Sequence, residues 1–358
     1  MKLLFYFGHP AQYYFLRNTI IRLREKGHTI FLAIKKKDIL ERLLNENNED
    51  YINLLPEGRK STKIQILLGL IKRDLRLWQF TRKRKFDLFV GTDPSLAHVG
   101  CLLRIPVLTV LEDDIEVIPA LAKLTFPFTS LIIAPAVVRV GKYSFKKIGY
   151  NGYMKLAYLH PKYFVPISVN IEKPYYLLRL SQLDAYHDFG MAGLSDTLLD
   201  SLIIILSKQG KVFISSEKSL KAKYESYLLK IPLSKIHHYL ANADMLISNS
   251  QSMSMEAAML GVPSVRFSDF AGRISVLEEL EHVYGLTYGI HTSLPEKLFE
   301  KIKELLSFPD LSKEFQNRRK RMLEDKIDVT AFLVWFIENY PSSARIMREN
   351  PDYQYRFR

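Results

Sequence analysis

The sequence predicts two Rossmann-like, doubly wound α/β domains, and three observations lead there. Its 358 residues exceed what one hydrophobic core usually organises, so two domains are expected. Apolar runs of strand length alternate with helical patterns along most of the chain. The turns between them are short, as parallel sheets built from βα units require.

The first array begins with an apolar run, Leu3 to Phe7, that ends at Gly8. A helical pattern follows from about Tyr14 to Lys26, Gly27 stops it, and Thr29 to Ile34 reads as the next strand. A long helical segment runs from about Thr62 to Lys85. Then come a strand at Asp87 to Gly91, a helix at Leu96 to Leu103 and a strand at Pro106 to Leu111. Leu131 to Ala134 and Lys146 to Ile148 read as the last strands of this half. The polar, Pro-containing segment His160 to Pro174 is the best boundary.

The alternation then starts again. Tyr176 to Leu180, Lys211 to Ser215, Met245 to Ser248 and Ser264 to Phe267 read as strands. Helices are expected at Ser195 to Lys208, Leu233 to Asn242, Met253 to Leu260, Ser275 to Tyr284, Pro295 to Leu306 and Leu311 to Leu323. The expected organisation is an N-terminal domain over 1–165, a C-terminal domain over 166–340 and a basic, aromatic tail over 341–358. The tail either packs back on the first domain or is partly disordered.

Composition narrows the class. Hydrophobic residues make up 47% and charged residues 25%, as in ordinary globular proteins. The single Cys101 excludes an intrachain disulfide and a thiolate metal cluster. Lys and Arg exceed Asp and Glu by 51 − 38 = 13, which favours anionic partners: nucleotide diphosphates, anionic lipid surfaces or nucleic acid. The run Met1 to Phe15 lacks the features of a signal peptide, and no stretch approaches a membrane span of about 20 apolar residues. A cytoplasmic protein is expected, with no resident metal and no covalently bound cofactor.

In doubly wound sheets, ligands bind beyond the carboxyl ends of the strands. The loops to inspect are therefore Gly8–Tyr13, Gly91–Ser95, Glu112–Glu116, Ser181–Gly193, Ser215–Lys218, Asn249–Ser252 and Phe267–Arg273. The richest is Ser248-Asn249-Ser250-Gln251-Ser252, a polar loop between an apolar strand and a helix. Small polar residues and the free N–H groups of a first helical turn make an anion site without a lysine. Glu256, one turn into the helix, suits both hydroxyls of a ribose. Plain capping is the competing reading. With Ser252 as cap, however, a capping box would place its acid at Met255 rather than at Glu256.

This stretch resembles the donor-nucleotide motif of GT-B glycosyltransferases, and more specifically that of hydrolysing UDP-N-acetylglucosamine 2-epimerases. The spacing of Ser250 to Glu256 and the following Leu260-Gly261-Val262-Pro263 carry the likeness. Gln251 and Ser252 depart from it, standing where the epimerases have glycines. Further stretches, Asn18–His28, Leu67–Asp87, Leu103–Pro106, Leu124–Phe128, Tyr150–His160 and Ala185–Gly193, resemble a family of about this length, a domain of unknown function in the same superfamily. The resemblance covers roughly residues 1 to 325. It implies a GT-B-like arrangement, two Rossmann-like domains facing across a cleft, with the acceptor side first and the nucleotide-sugar donor side second.

Candidate catalytic residues in the first half are His9, Asp93, Glu112 and Asp113. Gly8-His9-Pro10 follows the first strand, and His9 titrates near working pH. A turn or packing role is equally open to it. Asp93 matches the acid that the resemblance implies, but Asp-Pro also closes strands as a simple turn. Glu112-Asp113-Asp114 places three carboxylates at a strand end, where crowding and desolvation would raise a pKa. Glu112 comes nearest to the epimerase glutamate. In the second half, Arg179 is expected to clamp the diphosphate and His187 to act as acid or phosphate ligand. A snorkelling arginine and a surface histidine are the competing readings. Ser216 and Arg273 complete the expected nucleotide-sugar contacts, with Gly8, Ser250, Gln251, Ser252 and Glu256.

The segment Ile64–Lys85 combines Leu67, Leu68, Ile71, Leu75 and Trp78 at helical spacing with seven Lys and Arg residues. An interfacial helix on anionic lipid has this pattern, although a core face with a solvated basic back is the commoner arrangement. Nucleic acid is not expected, because no recognisable module accompanies the charge.

The expected function is a nucleotide-sugar-dependent glycosyltransferase in surface glycan or glycoconjugate assembly, with a UDP-sugar as donor and a glycan or lipid-linked acceptor. The alternatives are a 2-epimerase-like sugar isomerase and a non-catalytic binding protein on the same fold. The expected location is cytoplasmic, with peripheral contact at the inner face of the membrane through Ile64–Lys85.

Overall fold

The computed structural model describes residues 1–36, 38–57, 63–181, 194–216 and 219–358. It comprises two compact units, Met1–Tyr158 with Lys326–Arg358, and Leu159–Asp325.

The first unit is built on seven strands: β1 (Lys2–Phe7), β2 (Thr29–Ile34), β3 (Tyr51–Asn53), β4 (Leu88–Gly91), β5 (Val107–Val110), β6 (Leu131–Pro135) and β7 (Lys147–Tyr150). They lie in the order β3-β2-β1-β4-β5-β6-β7, and every pairing is parallel. Leu3 to Phe7 is buried throughout, which is why the strand reads as a continuous apolar run rather than an alternation. The order reverses between β1 and β4. Helices Pro10–Glu25 and Asp38–Glu46 pack together, while Lys63–Thr81, Pro94–Leu103 and Pro119–Thr125 pack one against the next. Right-handed crossovers put these two groups on opposite faces of the sheet.

Gly91 ends β4 with φ of +152°, and a Cβ there would lie 2.6 Å from the Tyr6 carbonyl oxygen. Backbone of neighbouring strands meets here too closely for any side chain. The sheet's switch point therefore depends on a glycine.

Helix Lys63–Thr81 departs from the arrangement that globular helices usually show. Leu70 and Leu77 are buried, yet Ile64, Leu67, Leu68, Ile71 and Leu75 are 47% to 74% exposed. The stripe is not a core face. The core takes the opposite side of the helix, through Leu70, Arg73, Leu77 and Thr81.

The second unit holds β8 (Tyr175–Leu180), β9 (Lys211–Ser216), β10 (Met245–Ser248), β11 (Ser264–Phe267) and β12 (Tyr288–Ile290). Their order is β12-β11-β10-β8-β9, again all parallel, and it reverses between β8 and β10. Helix Gln251–Leu260 leaves β10 and stops at Gly261, whose φ of +70° is the left-handed cap that favours glycine.

The chain after Lys326 belongs with the first unit, whereas the sequence places the end of the second domain at 340. Helix Val329–Glu338 packs on helix Pro10–Glu25, followed by helix Ser342–Glu349 and a 3₁₀ segment, Pro351–Phe357. Asp328 caps the helix from its side chain, and its N–H donates to the Phe357 carbonyl at 2.7 Å. The helix is apolar on nearly every side because Phe332, Leu333, Phe336 and Ile337 are all buried. That leaves little periodic contrast to read from sequence.

Candidate functional site

In each sheet the order reverses once, and there the loops at the carboxyl ends diverge and leave a crevice for ligands. In the second unit the reversal lies between β8 and β10, which brings Arg179, Ser181 and Ser248–Ser252 to one edge.

Ser250 is the cap of helix Gln251–Leu260: its Oγ accepts from the Met253 N–H at 3.3 Å. The cap is thus Ser250 and not Ser252, but Glu256 still lies outside a capping box. Ser248 Oγ accepts from the Ser250 N–H at 2.7 Å and sets the turn. Asn249 ties the two strand ends together, accepting at Oδ1 from the Ser181 N–H at 2.8 Å. With these bonds in place, the N–H groups of Gln251 and Ser252 open the helix ahead of any helical acceptor, at the positive end of its dipole.

Glu256 projects from the same helix, and His237 Nε2 stands 3.3 Å from its carboxylate. His237 is 6% exposed, from helix Ile236–Asn242, and packs edge-on to Phe164 at 6.1 Å. It is a residue that sequence reasoning missed. Nothing in the spacing of His237-His238 marks one of them as the partner of a carboxylate in the next helix.

Gln251 does not hang over the helix end. Its Nε2 donates to Ser268 Oγ at 2.7 Å, and its Oε1 accepts from Arg266 at 3.0 Å. Arg266 is fully buried and also reaches Glu281 at 3.3 Å. Burial pushes the Arg266 guanidinium down and the Glu281 carboxyl up. The side chain that breaks the glycine pattern is therefore committed to a buried polar network. Arg179 donates to Ser215 Oγ at 2.9 Å at the end of β8, with Ser216 next along β9. Arg273 is exposed on the turn after β11, its guanidinium 5.5 Å from the Phe270 ring centre. His187, Glu217 and Lys218 lie outside the described residues.

In the first unit the reversal brings together Gly8-His9-Pro10 after β1 and Thr92-Asp93-Pro94 after β4. His9 is exposed and caps helix Pro10–Glu25, its Nδ1 accepting from the Ala11 N–H at 3.2 Å. That bond fixes the neutral ring as its Nε2–H tautomer. Gly8 donates its N–H to Gln12 Oε1 at 2.7 Å, and a Cβ there would press on Lys35 at 3.1 Å. Asp93 caps helix Pro94–Leu103 by accepting from the Ser95 N–H at 2.9 Å, and Arg73 approaches it to 3.6 Å. Burial, and after it the charge of Asp93, pushes the Tyr6 phenol well above its ordinary range. Asp93 is thus a helix cap and the anion of a buried cluster.

The three carboxylates after β5 have different surroundings. Glu112 forms a buried ion pair with Lys155. Asp114 is fully buried and accepts from the Arg139 N–H at 2.7 Å. Asp113 is half-exposed. Lys155 had no signature in the sequence, and Arg73, one of the seven basic residues of Ile64–Lys85, turns inward to Asp93 instead of joining a basic face.

Among the described residues, no group of His, Cys, Asp and Glu is arranged to hold a metal ion. No helix among them is long and apolar enough to cross a membrane.

No family model matches the chain, and neither does any curated protein. Solved structures do match it over nearly its whole length. S. aureus MnaA, solved with UDP, superposes with a TM-score of 0.70 at 14% identity, covering 96% of this chain and 97% of that one. UDP-GlcNAc 2-epimerase from Neisseria meningitidis, bound to UDP-GlcNAc, gives 0.62 at 15% identity, with 91% and 99% covered. A Streptomyces sp. SF2575 glycosyltransferase, complexed with thymidine diphosphate, gives 0.58 at 17% identity, with 94% and 99% covered. The chain therefore has the two-domain Rossmann-like fold that UDP-GlcNAc 2-epimerases share with GT-B glycosyltransferases.

Proposed function

We propose that this chain is a nucleotide-sugar-dependent glycosyltransferase of surface glycan or glycoconjugate assembly. The observation that carries the reading is the β8–β10 switch point: a Ser250-capped helix end with Glu256 held by His237. Proteins of this fold have been solved with UDP, UDP-GlcNAc and thymidine diphosphate, which supports a nucleoside diphosphate in that place. The N–H groups of Gln251 and Ser252 and the Arg179 guanidinium hold the diphosphate, with Ser216 and Arg273 as further contacts. Glu256 accepts from the ribose hydroxyls, and His237 fixes its orientation.

In the transfer step, an acceptor hydroxyl attacks the anomeric carbon of the donor. The bond from that carbon to the diphosphate oxygen breaks, and its electron pair leaves with the diphosphate, stabilised by the helix end and Arg179. The hydroxyl proton goes to a general base. Among His9, Asp93, Glu112 and Asp113, a group that meets substrate must be reachable, so His9 and Asp113 are assigned the acceptor side. Asp93 and Glu112, held by Arg73 and Lys155, position those loops. The acceptor is a glycan or a lipid-linked sugar.

The second reading is a hydrolysing 2-epimerase-like isomerase, favoured by the closer superposition of an epimerase than of the transferase. Release of the nucleoside diphosphate decides between them. A transferase releases it only when an acceptor is present. Release with water alone, together with a sugar inverted at C2, overturns the transferase assignment.

A further inference from the structure

We propose that the outer face of the helix layer formed by Lys63–Thr81, Pro94–Leu103 and Pro119–Thr125 is a docking surface for an anionic lipid bilayer. The stripe Ile64, Leu67, Leu68, Ile71 and Leu75 follows the 3.6-residue period, so its side chains project from one side of the helix. All five are exposed, on a helix whose other side is already packed on the unit. Such a two-sided apolar helix is unusual at a water surface.

The exposed surface continues beyond that helix. Leu75 and Trp78 share an open groove with His98, Val99 and Leu102 of the next helix. His98 Nε2 lies 2.9 Å from the Leu124 carbonyl, and the Phe128 ring stands edge-on to His98 at 4.9 Å. Leu102, Leu124 and Phe128 are all exposed. One apolar surface thus runs across three consecutive helices, more extensive than the single segment seen in the sequence.

Charge identifies the occupant. Lys72 borders the stripe, and Arg82 lies over the Trp78 ring at 4.5 Å. Lys83, Arg84 and Lys85 follow the helix, Arg104 follows Leu102, and Lys123 precedes Leu124; all are exposed. The acids nearby are engaged locally, Glu57 by Lys72 and Arg76 and Asp74 by His98. A basic rim around an apolar face complements anionic headgroups above acyl chains. A two-fold contact with a second copy would instead press that rim towards itself. Arg73 on this helix approaches Asp93 to 3.6 Å, so a bilayer on the stripe lies beside the helix that carries the Asp93 loop. This inference stands apart from the donor-site reading, since bilayer contact needs no nucleotide.

The test is co-sedimentation with vesicles of phosphatidylcholine alone, and of phosphatidylcholine with about one third phosphatidylglycerol. The wild-type chain is expected to bind the anionic vesicles and not the neutral ones, less strongly as salt rises. Leu68→Gln/Ile71→Gln should weaken that binding at least about tenfold, with an unchanged Tm because both side chains are exposed. Failure of the wild type to bind anionic vesicles overturns the proposal, as does full binding by the double variant. A dimer in sedimentation velocity that the double variant dissociates also overturns it, and assigns the face to a second copy.

Discussion

Glu256 and His237 form the pair on which the nucleotide reading turns. A carboxylate that accepts from two ribose hydroxyls must be held in one rotamer, and the 3.3 Å contact with His237 does this. His237→Ala should therefore weaken nucleoside diphosphate binding about tenfold, the order of one hydrogen bond to a charged group. Titration calorimetry on the two proteins measures it. Gly91→Ala tests the switch point of the first sheet: with the Tyr6 carbonyl 2.6 Å from the added Cβ, the loss should be about 3 kcal/mol in urea unfolding. Lys155→Met would take the paired charge away from the buried Glu112 and cost about 3 to 5 kcal/mol. The double variant Glu112→Leu/Lys155→Met should recover most of that loss, because it removes both charges. At this scale the sequence placed the polar loop at a helix start and Glu256 within that helix, though the cap is Ser250 rather than Ser252. It was silent on Lys155 and His237 and put Arg73 with the basic residues of its own helix, because the partners of all three lie on other elements.

Elements with a strong period or a punctuating residue were legible almost to the residue. Thr29–Ile34, Met245–Ser248, Ser264–Phe267 and Pro295–Leu306 stand where the sequence puts them. The short strands Tyr51–Asn53 and Tyr288–Ile290 did not show, and both are half-exposed edge strands of three residues. Helix Pro10–Glu25 starts earlier than its apolar pattern because His9 and Pro10 supply a cap and a first turn. A pH test belongs at this scale. His98 joins helix Pro94–Leu103 to Asp74 of helix Lys63–Thr81 at 2.9 Å. The Asp74 hydrogen bond raises the His98 pKa above its ordinary 6.5, against the opposing effect of burial. A raised folded-state value contributes stability that is complete below the unfolded value and is lost as pH rises through the folded one. Tm should accordingly fall as pH rises above about 6.5, and Asp74→Asn should flatten that part of the profile. A profile identical in the two proteins would remove the pair from the account.

For the whole molecule, two parallel sheets, each with one reversal of strand order, place every candidate residue that lies within the described chain at a carboxyl edge or beside it. That much follows from alternating βα units, and structures at 14% to 17% identity share the fold. The sequence offered a return to the first unit only for 341–358; that it begins at Lys326 was not legible, because a helix buried on nearly all sides carries no periodic signal. The proposed function requires the second unit to bind a nucleoside diphosphate at Ser250–Glu256. The most direct test is a thermal-shift series with UDP, GDP, CMP and dTDP and their sugars, on the wild type and on Glu256→Ala. A ligand at a hundred times its Kd stabilises by about 2.7 kcal/mol, a shift that is readily seen. A response to one nucleotide series, largely lost in Glu256→Ala, is expected. Silence across the series, or a response undiminished in Glu256→Ala, would contradict it.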